Sequence, residues 1–310
     1  MTSAPSSPTP TAEDRPQPVR IVDGRPQNMP PLPEWPAIGQ RILPGATSYL
    51  GRPYRTVLGT RTLTLDLHVP DGDGPFPVAT YASGGGFMLT STVIGEWRAL
   101  LGLGYAVAPI QYRLRDEAKH PEPVSDVAAA VRWLREHAAE FGLRPGAPVG
   151  VASSAGAYLT DFAALTLDAD GAPWSPGASN LFRGVVSFYA PTDFAHLPDD
   201  DAPEVVEESG TPTSSDTGYL GYRPLDRPEE AAATALSAHV RADAPPFLLL
   251  HGDADTRVGV GQSRRFADAL QSVGARHELH VVPGANHGTP EFTSSEVVGI
   301  VRDFLASLPA

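Results

Sequence analysis

Residues 147–166 read APVGVASSAGAYLTDFAALT. The apolar run 147–152 has the length of a buried parallel strand. Ser153-Ser154-Ala155-Gly156 are all small, and Ala157–Thr166 reads as a helix. A strand passing through such a turn into a helix can hold a serine on a strained bend with its Oγ exposed above a sheet. The pattern small-x-Ser-x-Gly centres on Ser154, with Ala152 and Gly156 flanking. Centring it on Ser153 puts Val151 and Ala155 there, which fit worse. Taken alone, a serine-rich helix start is the commoner meaning of this motif.

Outward from this turn the same rhythm recurs. Short apolar runs lie at Pro77–Ala82, Tyr105–Ile110, Val185–Tyr189, Phe247–Leu250 and Leu279–Val282. Leu63, Leu65 and Leu67 alternate with polar residues, as in a half-buried strand. Val124, Val127, Val131, Leu134, Ala138 and Phe141 are spaced 3 or 4 apart, the signature of an amphipathic helix. Strands alternating with helices predict an α/β fold, a mostly parallel central sheet with helices on both faces. The stretch 192–243 interrupts the alternation and reads as a small cap insertion over one end of the sheet. Eleven of the 33 prolines fall within the first 44 residues. Residues 1–45 are therefore expected to be a proline-rich extension, and 46–310 the domain. Within the extension Met29, Leu32, Trp35, Ile38, Ile42 and Leu43 are apolar enough to dock on the domain.

Three further motifs sit where predicted strands end. Ser83-Gly84-Gly85-Gly86-Phe87 leaves backbone N–H groups uncovered and permits φ > 0, which suits an oxyanion hole as well as it suits a plain flexible turn. No Gly-Lys-Ser/Thr follows, so a phosphate loop is disfavoured. His251-Gly252-Asp253-Ala254-Asp255 offers two acids, either of which could equally cap a turn. Gly284-Ala285-Asn286-His287-Gly288 offers a histidine in a loop of small residues. The order is glycine run, serine, acid, histidine. Asp255 lies 101 residues after Ser154, and His287 lies 32 after Asp255. Serine, acid, histidine is one of the chain orders in which a hydrolytic triad occurs.

Composition narrows the partners. The chain of 310 residues has 36 acids against 23 Lys and Arg, a net charge of −13. Such a chain repels phosphate backbones and anionic lipid, so neither nucleic acid nor a membrane is expected as partner. No apolar run approaches the ~18 residues of a membrane span. With no cysteine there is neither disulfide, thiolate metal site nor cysteine nucleophile. His277 and His280 point to opposite faces of a strand and make a poor metal pair. No cofactor or metal is expected. The acidic run Asp199–Asp201 with Glu204, Glu207 and Glu208 reads as a solvated loop. Residues 1–20 lack an apolar h-region and carry Glu13 and Asp14, so the sequence reads as cytoplasmic.

The assembled motifs resemble the α/β-hydrolases, and within them the hormone-sensitive-lipase and acetyl-esterase-like branch. The resemblance is carried by Ser83–Phe87 for that branch's His-Gly-Gly-Gly motif, Tyr112-Arg113-Leu114, Pro121, Asp126 and Trp133, and the turn at Ser154. His251–Asp255 with Val258, and His287-Gly288, complete it, over residues 54–308. The chain departs from the branch at Ser83, where histidine is usual, at Ala152, usually glycine, and at Ser153, often acidic. The resemblance implies a serine hydrolase of small-molecule carboxylic esters working through an acyl-enzyme. Ser154 would be the nucleophile, His287 the base and Asp255 the orienting acid, with the amides of Gly85, Gly86 and Ala155 as oxyanion hole. Phe87, Met88 and Leu89 would border the acyl pocket, with Phe194, Tyr219 or Tyr222 near the leaving group. Arg113 and Asp126 would pair beneath the site, with Trp133 as packing. Alternatives on the same site are an amidase or formamidase, an acyltransferase, or a cyclase or dehydratase; a non-catalytic small-molecule binder is another. The expected partner is a small-molecule ester or related acyl compound, and the chain is expected to be a monomer or homodimer.

Overall fold

A computed structural model describes residues 38–197, 211 and 213–309, with the backbone of two short strands nearer the N-terminus. The chain divides into two units, Met1–Glu34 and Trp35–Ala310. In the first, Ile21–Val22 pairs antiparallel with Arg25–Pro26.

The second unit is built on a nine-stranded sheet. Its strands are β1 (Gln40–Leu43), β2 (Ala46–Arg55), β3 (Leu63–Pro70), β4 (Val78–Ala82), β5 (Ala106–Ile110), β6 (Val149–Ser153), β7 (Gly184–Phe188), β8 (Phe247–Gly252) and β9 (His277–Val282). Their spatial order is β9-β8-β7-β6-β4-β5-β3-β2-β1. From β5 through β4 to β9 every pairing is parallel, whereas β3, β2 and β1 join antiparallel at one edge. From β4 the chain moves to β5 on one side, and from the adjacent β6 it moves to β7 on the other. The order therefore reverses between β4 and β6, and at such a switch point a crevice opens beyond the carboxyl ends of the strands.

Helices cover both faces, because each parallel strand is apolar on both sides. Helices α2 (Glu122–Glu136), α3 (Ser154–Thr166) and α6 (Gly261–Ser272) pack on one face; α1 (Arg98–Gly102) and α7 (Ser295–Ser307) pack on the other. Alternation along the strands supplies both layers. Val149 and Val151 of β6 join the core with Leu100, Val301 and Phe304, while Ala152 joins that with Val131, Leu159 and Phe162. The buried residues of α2 include Val124, Val127, Val131, Leu134 and Trp133. The helix ends at Glu136 rather than running on to Phe141; Ala138 and Phe141 stay buried in the turns that follow.

The sheet begins at Gln40, inside the stretch 1–45 read as an extension. Strand β1 is almost wholly exposed and lacks apolar alternation, so periodicity could not reveal it. Ile38 and Ile42 are exposed, while Leu43 packs on the core, so the expected docking reduces to Leu43 among the described residues. Met29, Leu32 and Trp35 lie outside them. In the stretch 192–243, two short helices, α4 (Ser215–Leu220) and α5 (Pro228–Ala232), follow one another before β8. The acidic run at 199–208 falls outside the described residues. Among the described residues no helix is long and apolar enough to cross a membrane.

Candidate active site

Strand β6 ends at Ser153 and α3 starts at Ser154, so no loop separates them. This forces Ser154 to φ 51°, a conformation uncommon for a residue with a Cβ. The turn can close only because Gly156 has no side chain: a Cβ there would lie 2.2 Å from the Ala82 carbonyl oxygen. Ala152, where the resembled branch has glycine, is fully buried, its methyl absorbed by the core around α3.

The acid comes from the loop after β8 and the histidine from the loop after β9, neighbouring parallel strands. Ser154 Oγ lies 2.9 Å from His287 Nε2, and His287 Nδ1 lies 2.8 Å from Asp255 Oδ2. A carboxylate only accepts, so Nδ1 carries the imidazole proton and Nε2 is left to accept from the Ser154 hydroxyl. Asp255 Oδ1 accepts the amides of Arg257 and Val258, both at 2.9 Å. Burial alone would raise the Asp255 carboxyl; hydrogen bonds from His251 and His287, the charge of His287 and the Val258 amide outweigh it and hold the carboxyl well below the usual range. Asp253 is exposed and instead accepts the Gly284 amide at 2.6 Å, tying down the histidine loop.

His251, near the end of β8, is fully buried and supports the acid. Its Nε2 donates to the Val258 carbonyl at 2.7 Å and lies 3.5 Å from Asp255 Oδ2; its Nδ1 accepts from Ser263 at 2.7 Å. Sequence carried a hint of this in its spacing, four residues before Asp255.

The glycine run turns back over the serine through Gly85 (φ 138°), Gly86 (φ 57°) and Phe87 (φ 58°). Gly84 is not free for catalysis, since its N–H donates to Ser153 Oγ at 3.2 Å. Ala155 is in the first turn of α3, where backbone N–H groups have no partner within the helix. Ser83, standing where histidine is usual, braces the loop by accepting the Ser91 amide at 2.8 Å. Tyr112 donates to the Ser83 carbonyl at 2.7 Å. Beneath, Asp126 is fully buried and takes Arg113 Nε at 2.9 Å and Arg55 at 2.7 Å.

A cavity of about 290 Å³ opens above Ser154. Gly86, Ala155, Phe87, Met88, Phe194 and Leu197 form part of its wall, and the segment Ser214–Asp216 another part. Gly85, Leu89, Tyr219 and Tyr222 do not line it. Tyr219 lies one layer back, stacked on Phe87 at 4.0 Å, because the Phe87 ring occupies the place nearer the serine. Leu89 is exposed on the surface. Among the described residues no group of three His, Cys, Asp or Glu could hold a metal ion.

A parallel sheet with this crevice, a serine on a strand-to-helix turn and a histidine and acid from the next strand ends defines an α/β-hydrolase. Residues 65–270 match the family model BD-FAE, and the chain belongs to that family. It is 31% identical over 258 residues to the probable carboxylic ester hydrolase LipM of Mycobacterium tuberculosis, covering 78% of this chain and 57% of that protein. With the probable isoprenylcysteine alpha-carbonyl methylesterase ICMEL1 of Arabidopsis thaliana it shares 27% over 72% of this chain and 48% of the other. The chain thus spans about half the length of the curated relatives it matches. Among solved structures, a truncated carbohydrate esterase from gut microbiota superposes with TM-score 0.73 at 24% identity, over 87% of this chain and 98% of that one. Esterase 2 of Thermogutta terrifontis, phosphonylated by sarin, superposes with TM-score 0.66 at 25% identity, over 85% and 95%.

Proposed function

We propose that this chain is a carboxylic ester hydrolase that cleaves small-molecule esters through an acyl-enzyme on Ser154. The observation that carries this is the unbroken line from Ser154 Oγ through His287 to Asp255, 2.9 and 2.8 Å long, at the floor of an open cavity. The esterase names of the relatives agree with it.

Ser154 Oγ attacks the ester carbonyl while His287 Nε2 takes its proton. Asp255 keeps the imidazole in the accepting tautomer and stabilises the imidazolium. The amides of Gly86 and Ala155, with Gly85 behind them, receive the negative charge that develops on the carbonyl oxygen. His287 then passes its proton to the leaving alcohol, and water, deprotonated by the same imidazole, releases the acid. Phe87, Met88, Phe194 and Leu197 give the cavity an apolar side suited to an acyl chain or aromatic ring.

The test is a Ser154→Ala variant assayed with short-chain nitrophenyl esters, beside intact-mass and peptide mapping of the wild type after a fluorophosphonate. Turnover is expected to fall on the order of 10⁴-fold or more, and the adduct to map to Ser154. An active Ser154→Ala beside a dead Ser153→Ala would overturn the assignment.

A further inference from the structure

We infer that Glu96 is a positioning residue that clamps the serine turn and the imidazole of His287 into one register through Tyr81 and Tyr189. The inference rests on the reading of Ser154 and His287 as nucleophile and base.

Glu96 lies between β4 and α1, half-buried, and neither the triad nor the glycine loop includes it. Its two carboxylate oxygens serve different parts of the site. Oε2 accepts the Tyr81 hydroxyl at 2.5 Å, and Oε1 accepts the Tyr189 hydroxyl. Burial first, and the charge of Glu96 second, push both phenols up, so both stay protonated donors. Tyr81 has one proton, and it is spent on Glu96. Toward Ser153 Oγ, 2.8 Å away, Tyr81 therefore accepts. Ser153 Oγ in turn accepts the Gly84 amide. The result is a one-way chain from the Gly84 N–H through Ser153 and Tyr81 to Glu96, each donor polarised by the next. It joins the glycine loop to the residue before Ser154.

The second arm reaches the base. Tyr189 follows β7 with φ 40°, and its ring meets His287 edge-to-face, with centroids 4.6 Å apart. Its hydroxyl is held by Glu96, so the ring cannot swing away from the imidazole without breaking a charge-assisted hydrogen bond. The loop is shaped for the contact: at Gly95, φ 144°, an added Cβ would lie 2.2 Å from the Tyr81 hydroxyl. Ser153 stands where the resembled branch often carries an acid. Here the carboxylate arrives from a different loop, through Tyr81.

The test measures nitrophenyl acetate turnover, fluorophosphonate labelling of Ser154 and melting temperature on the full chain. In Glu96→Ala, kcat is expected to fall about 10²-fold, the usual consequence of misplacing reacting groups by about 1 Å, with KM changed by less than ~3-fold. Glu96→Gln keeps one acceptor and is expected to recover about tenfold of that loss. Tyr189→Phe keeps the ring and is expected to lower kcat about tenfold alone, yet add little to Glu96→Ala, whose arm is already cut. Phosphonylation should slow in step with kcat. If Glu96→Ala does not fold, Glu96→Gln and Tyr189→Phe decide. Variants that melt lower but keep the wild-type kcat and labelling rate overturn the clamp while the reading of Ser154 stands. A wild type that neither turns over ester nor labels at Ser154 overturns that reading and the clamp with it.

Discussion

At the scale of single residues the two aspartates of the loop after β8 separate cleanly. Asp255 Oδ2 faces His287, while Asp253 faces the Gly284 amide. Asp255→Asn leaves the imidazole without an acceptor for its Nδ1 proton and favours the wrong tautomer, so kcat/KM is expected to drop roughly 10⁴-fold. Asp253→Asn keeps an oxygen for the Gly284 amide and is expected to stay within about tenfold of wild type, as a hydrogen bond at the surface is worth about 1 kcal/mol. Steady-state kinetics of the two variants check this, and the reverse ranking would sink the assignment. The choice between the two acids was not legible in residue type alone, since both follow the same strand; the resemblance, through Val258, singled out Asp255. Glu96 left no trace at all. It sits in a stretch without periodicity, and its partners are 15 and 93 residues away.

At the scale of elements, α3 carries one acid, Asp161, in an otherwise uncharged helix. It is fully buried; its Oδ2 accepts the Ser187 hydroxyl of β7 at 2.6 Å, and its Oδ1 has no partner among the described residues. Burial pushes the carboxyl up to about 8, partly offset by the Ser187 bond. In the unfolded chain an aspartate releases its proton near ~3.9. Between these values the folded state holds one proton more than the unfolded state, so stability falls as pH rises, by about 1.4 kcal/mol per unit. Below the unfolded value the contribution is level, and above about 8 the loss is complete. Asp161→Asn should flatten that slope: against wild type, its melting temperature should gain steadily from pH 5 to pH 8. Parallel curves in a thermal series would show that Asp161 is ionised in the fold. The interior acid was visible in the sequence as a break in an apolar helix, but its partner on β7 was not.

At the scale of the whole molecule the edge of the sheet offers the remaining prediction. β1 adds little buried surface, but it covers the free edge of β2. A chain starting at Ile38 keeps this pairing, and one starting at Ala46 loses it. The shorter chain should melt about 2–4 °C lower and self-associate, because an uncovered strand edge pairs with other chains. Thermal unfolding and sedimentation at several concentrations check this; identical melting and a monomer in both would show the strand to be dispensable. The sequence by itself marked the strands β3 to β9, the helices α2 and α3 and, through the resemblance, the family and the three side chains above the sheet. The strands and helices follow from local periodicity, whereas the family and the three side chains follow from the order of the motifs and from the resemblance they carry. What only the tertiary structure decided were the edge strand β1, the place of Tyr219 behind Phe87, the support of Asp255 by His251 and the clamp at Glu96. β1 is an exposed edge without apolar alternation, and His251 meets Asp255 only through the turn of the loop after β8. The place of Tyr219 and the clamp depend on which loops the crossovers bring side by side, contacts that impose no local pattern on residues far apart in the chain.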